Sequence, residues 1–211
     1  MKHKFVPLLA LCLVGGAALA QDNTVKFGVA RYTTHSSTTG VKSADTLLVG
    51  ADAKTGDATT LVFEYERLIS PNWGVELALG IPPKIKAKAT GSIAFLGDDI
   101  LSAKNVTPTL FVNYHFGASG DPWRPYVGVG VNYTKFVSIE SRLAPDVQMS
   151  NSVGPAVKAG LEYALSKEWS LFASVTALQV KSDLVATSST VLTTTIDFRP
   201  VVYSFGAAYR F

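Results

Sequence analysis

Cysteine, charge and long apolar runs are all scarce in this 211-residue sequence. Its one cysteine, Cys12, cannot form an intrachain disulfide, which excludes a small disulfide-stapled domain. Charged residues make up 17% and hydrophobic residues 47%. A soluble domain usually carries about 25% charge, so too few charges remain here to cover an ordinary soluble surface. The hydrophobic share equally excludes disorder and a coiled coil. A helical membrane protein would need runs of about 20 apolar residues, and only the N-terminal stretch approaches that length.

That stretch has the layout of an export signal. Lys2, His3 and Lys4 form a basic head, Phe5 to Ala20 carry no charge, and Ala18-Leu19-Ala20 supply a small-x-small exit before Gln21-Asp22-Asn23. Residues 1–20 read as a secretory signal peptide cut after Ala20, leaving 21–211 as one domain. A lipoprotein signal around Cys12 is the rival reading, but it wants a small residue just before the cysteine, and Leu11 stands there. Without Lys2 and Lys4 the net charge falls from +3 to +1, so no basic excess points to nucleic acid. An exported chain left without cysteine fits the bacterial envelope better than a disulfide-rich extracellular module.

Period-two alternation dominates what remains. Val127, Val129, Val131 and Tyr133 alternate with Gly128, Gly130, Asn132 and Thr134, and Trp73, Val75, Leu77 and Leu79 alternate with Gly74, Glu76, Ala78 and Gly80. The same pattern runs from Val201 to Phe211. Eight such segments are recognised, at 24–34, 57–69, 73–88, 103–116, 124–139, 152–165, 169–182 and 193–211. Short connections (70–72, 117–123, 166–168) alternate with long ones. The expectation is an all-β fold, an eight-stranded antiparallel up-and-down transmembrane β-barrel of the outer membrane.

The two faces differ as such a barrel requires. One is long and almost free of charge, as lipid demands. The other carries Glu64, Glu66, Glu76, Lys158 and Glu162 among small residues and suits a crowded lumen. A soluble β-sandwich with a polar outer face is the alternative. All three tryptophans, Trp73, Trp123 and Trp169, adjoin short turns. With Tyr65, Tyr114, Phe116, Tyr126, Tyr163, Tyr209 and Phe211 they are expected to form the periplasmic girdle, and Tyr32, Tyr133, Phe136 and Tyr203 the outer one.

Several of these stretches carry a resemblance. Trp73-Gly74-Val75-Glu76, Gly80-Ile81-Pro82-Pro83, the run Pro108 to Phe116, the run Arg124-Pro125-Tyr126-Val127-Gly128-Val129-Gly130-Val131-Asn132-Tyr133 and the closing Tyr209-Arg210-Phe211 together resemble the outer membrane protein W family over most of the exported chain. The resemblance implies an eight-stranded barrel that passes small hydrophobic molecules across the outer membrane, and some members serve as receptors for phage or bacteriocin. It also implies that the terminal aromatics Tyr209 and Phe211 are presented to the barrel-assembly machinery.

Local features suggest where function resides. Pro82 and Pro83 remove two donors from a long strand, so they either open the wall sideways or bend the strand above the membrane. Ile93, Phe95 and Leu96 form an apolar loop patch that either gates access for greasy solutes or packs the loop onto the barrel mouth. Glu64, Glu66, Glu76, His115, Lys158 and Glu162 form a lumen polar network, either structural or solute-selecting. Asp98-Asp99 lacks the further carboxylates of a calcium loop, Gly128-x-Gly130 lies within a strand, and no nucleophile elbow or phosphate loop is present. No cofactor or metal is expected.

The reading is an outer-membrane barrel, not an enzyme, acting as a passive conduit for small hydrophobic solutes, with outer-membrane lipids around it and lateral release into the bilayer. The alternative is a structural, adhesive or receptor barrel acting through its extracellular loops. A surface hydrolase centred on His35 is the third.

Overall fold

A computed structural model describes residues 23–43, 46–142, 144, 146–187 and 191–211; the expected signal peptide at 1–20, with Cys12, lies outside the described residues. The alternating segments fold into β1 (Asn23–Thr38), β2 (Val41–Ser43), β3 (Thr46–Leu48), β4 (Ala51–Thr55), β5 (Ala58–Leu68), β6 (Trp73–Gly80), β7 (Lys84–Gly91), β8 (Leu101–Val106), β9 (Thr109–His115), β10 (Trp123–Ser141), β11 (Asp146–Met149), β12 (Ser152–Ala164), β13 (Trp169–Leu178), β14 (Val180–Thr187) and β15 (Val191–Arg210). Eight of them close a ring in the order β1–β5–β6–β9–β10–β12–β13–β15, every contact antiparallel. Closure is made by β15 on β1, paired from Thr24↔Arg210 to Thr38↔Ile196.

The other strands raise the wall beyond the ring. β8 pairs the upper part of β10, β7 pairs β8, and β4 pairs β7. On the far side β14 pairs the upper part of β15, and β11 pairs β14. Three segments expected to be continuous are therefore divided. The 73–88 stretch breaks at Ile81-Pro82-Pro83, 103–116 at Thr107-Pro108, and 169–182 at Gln179. Proline has no N–H to give a ladder. Gln179 breaks for the same reason at one remove: its N–H donates to the carbonyl of Pro155, which has no N–H to return.

Two of the three tryptophan turns share one construction. Ile69 N–H donates to Trp73 O, and Leu165 N–H to Trp169 O, at 2.8 Å each. At this rim the outward aromatics interlock: Trp123 with Tyr163 (4.4 Å between centroids), Trp73 with Tyr114 (5.0 Å) and Trp169 with Tyr209 (5.0 Å). Phe211 is exposed beside Tyr209. Tyr126, expected in this girdle, is instead 1% exposed inside the barrel and stacked on His115. Tyr32 and Phe136, expected in the outer girdle, also face inward, while Tyr133 and Tyr203 are exposed on the wall. Strand parity decides these positions: Tyr126 shares a face with Arg124, and Tyr32 with Ala30, both of which point inward.

The periplasmic half of the interior is filled by ions. Lys26, 0% exposed, lies 3.0 Å from Glu66, 3.2 Å from Glu76 and 2.8 Å from Glu162. Lys158 contacts Glu64 at 2.9 Å and also Glu76. Asn113 donates to Glu66 and Glu76, and His115 Nε2 lies 2.7 Å from Glu66. The structure thus brings Glu64, Glu66, Glu76, His115, Lys158 and Glu162 into one cluster, together with Lys26, Asn113 and Tyr126, which sequence reading did not single out. Gly160 makes the space for Tyr126: a Cβ there would sit 2.4 Å from the tyrosine ring. Above the ions lies an apolar layer of Ala30, Val62, Phe111, Ala156, Leu178 and Val202.

Each carboxylate in this cluster depends on a shared ammonium, because an ion buried alone costs several kcal/mol. Lys26→Met leaves Glu66, Glu76 and Glu162 without their common partner. Its expected cost is about 3–5 kcal/mol, read as a lowered midpoint of urea unfolding in lipid vesicles by tryptophan fluorescence.

Candidate functional site: an apolar chamber beside a break in the wall

Above the apolar layer the raised wall encloses a chamber of about 360 Å³. Ile85, Leu101, Phe136, Leu184, Ile196 and Phe198 are among the side chains that line it. Parity again makes it apolar: along β7, Ile85, Ala87 and Ala89 turn inward while Lys84, Lys86 and Lys88 turn out. The polar groups on its surface are largely spent on neighbours. Thr34 Oγ1 donates to the carbonyl of Thr55 at 3.0 Å, and Thr134 Oγ1 lies 3.1 Å from Thr107 Oγ1.

A short 3-10 helix, Ala94–Leu96, covers part of the rim. Ile93 and Leu96 line the chamber, whereas Phe95 points away and is 82% exposed. The expected loop patch is therefore split between two sides. Its return is pinned by Lys86–Asp99 at 2.6 Å and by Ala89 N–H on Gly97 O at 3.2 Å. Asp99 takes a positive φ of 59°, a rare backbone state outside glycine that aspartate tolerates better than most.

The floor is closed. Below Tyr32 come the apolar layer and then the ion cluster, which separate the chamber from a second cavity at the periplasmic mouth. That cavity, about 930 Å³, is bordered by Arg124, Arg210, Asp121 and Lys167 and shares no lining residue with the chamber.

Pro82 and Pro83 lie in the wall at the level of this floor. β5 and β6 pair up to Val62↔Gly80, and Ile81 N–H still reaches Leu61 O at 3.0 Å. Backbone pairing resumes only where Gly56 N–H meets Lys86 O at 2.8 Å, followed by Thr55↔Ala87. The register is the same on both sides, so residues 57–60 face 82–85 across a gap in the ladder. The other flank also lapses, from Ala78↔Thr109 to Lys84↔Lys104, with a slip of one residue. Tyr32 is registered with Ala58 and lines the chamber, which puts the gap beside the chamber floor. Ile81 stands exposed on the outer surface immediately below. His35, the alternative hydrolase residue, is exposed on β1 opposite Arg199.

Comparison with known proteins agrees with this architecture. The OmpW family model matches residues 20–211. Outer membrane protein AlkL of Ectopseudomonas oleovorans is 31% identical over 166 residues, 78% of this chain and 71% of that protein. Dibenzothiophene metabolism operon protein PahQ of Pseudomonas aeruginosa is 28% identical over 135 residues, 64% of this chain and 62% of that one. Among solved structures, outer membrane protein OprG of Pseudomonas aeruginosa superposes with a TM-score of 0.86 at 22% identity, covering 91% of this chain and 96% of its own, a likeness of fold. An eight-strand ring, a charge-poor outer wall and a family match over nearly all of the described chain lead to one conclusion: this chain belongs to the OmpW family and is a β-barrel of the bacterial outer membrane.

Proposed function

We propose that the barrel is a passive conduit for small hydrophobic molecules, which enter the chamber from outside and leave sideways into the bilayer at Pro82-Pro83. The observation that carries this reading is the position of the chamber: it ends on a sealed floor, yet its side wall is open in backbone pairing at that level. Its volume lies within the roughly 300–1,000 Å³ of small-molecule pockets. A solute continuing straight down would have to part the Lys26 and Lys158 ion pairs. One moving sideways exchanges apolar chamber walls for apolar lipid, at little cost in hydrophobic transfer.

The prolines make such an opening cheap. An unpaired N–H facing hydrocarbon costs several kcal/mol, and Pro82 and Pro83 contribute no N–H. The relative PahQ, whose name places it in a dibenzothiophene metabolism operon, supports an apolar and aromatic cargo. In this reading the chain conducts, and none of its residues makes or breaks a covalent bond in the cargo.

Two substitutions test the route. Pro82→Val with Pro83→Thr restores both donors opposite residues 59 and 60 and is expected to slow uptake of an alkane tracer into proteoliposomes severalfold, with the folded band on cold gel electrophoresis unchanged. Unchanged uptake by the folded variant overturns lateral release. Ala103→Phe fills the chamber from β8 and is expected to abolish apolar uptake while leaving leakage of polar tracers at the level of empty vesicles.

A further inference from the structure

The outward face of the raised wall carries an arrangement that the conduit does not use. β4, β7, β8 and the upper part of β10 form one continuous sheet, and six lysines stand exposed on it: Lys54, Lys84, Lys86, Lys88, Lys104 and Lys135. Two pairs are placed against each other by the register itself. Lys54 is directly opposite Lys88, and Lys84 directly opposite Lys104. Like charges directly opposed across a ladder are destabilising.

The neighbouring carboxylates relieve only part of this. Glu140 takes Lys84 at 2.8 Å and Asp99 takes Lys86 at 2.6 Å. Asp52 spends its Oδ1 on the Thr38 hydroxyl and the Ala53 N–H, and Asp98 makes no ion pair among the described residues. Lys54, Lys88, Lys104 and Lys135 have no carboxylate within ion-pair distance among the described residues.

The height of this face indicates its partner. Just past β6 the apolar outer surface ends at Ile81, and Lys84 follows across Pro82-Pro83; on β10 Lys135 stands between the exposed Tyr133 and Val137. The column Lys84–Lys86–Lys88 then climbs four residues, about 13 Å along the strand and about 10 Å along the membrane normal at a tilt of about 35–45°. A phospholipid headgroup layer is only about 5–8 Å deep on each side of the hydrocarbon. A ligand with anionic groups at several heights fits the column, and a single phosphate layer does not.

We propose that this lysine face binds the phosphate groups of a phosphorylated glycolipid in the outer leaflet, which supplies the negative charge that the Lys54–Lys88 pair lacks and adds to the one Glu140 carboxylate beside the Lys84–Lys104 pair. The proposal is independent of the conduit reading. A lipid held here would also stand beside the Pro82-Pro83 gap, since Lys84 is the next residue along the chain.

The test compares the exported chain refolded into vesicles of phosphatidylcholine alone, with added diphosphorylated lipid A, or with the same glycolipid dephosphorylated. The readout is the midpoint of urea unfolding. The wild type is expected to gain stability only from the phosphorylated glycolipid. Lys54→Gln/Lys88→Gln/Lys104→Gln is expected to be more stable than wild type in phosphatidylcholine, because the repulsion is gone, and to gain nothing from lipid A. Displacement of a fluorescent lipid A should weaken about 100-fold in that variant, at about a factor of five for each of the three surface cations removed. Lys54→Arg/Lys88→Arg/Lys104→Arg retains the wild-type response and separates charge from folding. Equal stabilisation by the dephosphorylated glycolipid, an undiminished lipid A response in the glutamine variant, or the same gain from inorganic phosphate over phosphatidylcholine overturns the proposal.

Discussion

In hydrocarbon a peptide N–H has no partner except another peptide carbonyl, and that requirement governs the rest of this molecule. It forces the sheet to close, and closing the sheet gives every strand a wet side and a lipid side with period two. A shift of one residue in any pairing would exchange the two sides completely. The exposed Phe27 and Val29 and the buried Lys26 are thus products of one register, not separate features. Once the outer wall is committed to lipid, the charges on the other parity meet in the lumen and must neutralise one another there.

Along the barrel axis the same requirement is met and then relaxed. The lower half is fully laddered and filled with ions, so it is a rigid seal. At the next level Pro82, Pro83, Pro108 and Pro155 cluster, each withholding a donor, and the strands break or slip there. Above that belt β1, β10 and β15 run on, and shorter strands with inward aliphatic side chains and outward lysines complete the wall between them. Proline therefore does two things at one height: it separates the membrane ring from its extension, and it leaves the ladder incomplete beside the chamber.

Much of this was legible in the sequence because alternation is written into every strand. Glu64, Glu66, Glu76, Lys158 and Glu162 were assigned to the inner face by parity alone, and they meet there. Lys26 escaped notice although Phe27 and Val29 on either side of Gly28 carry the same signal. Tyr126, Tyr32 and Phe136 were misplaced because residue type, an amphipathic ring near a strand end, was allowed to outweigh parity. The breaks at Thr107-Pro108 and Gln179 were not anticipated, the second because its cause, Pro155, lies on a neighbouring strand. The chamber had no sequence signal at all. It is assembled from ten strands and the loop around Ala94–Leu96, brought together by register, and within that loop only the fold separates Ile93 and Leu96 from Phe95.

Ring closure by β1 and β15 also has a kinetic meaning. Pairing Thr24 with Arg210 joins two of the most distant points of the described chain. Loop-closure entropy must be met before that contact gives anything back, so it is intrinsically slow to form. Until it forms, two full-length strand edges stand bare, each a template for pairing with the wrong chain. A barrel with this seam open is therefore not a slightly weaker barrel but an aggregation hazard, and the seam between the first and last strands is the step that removes both bare edges.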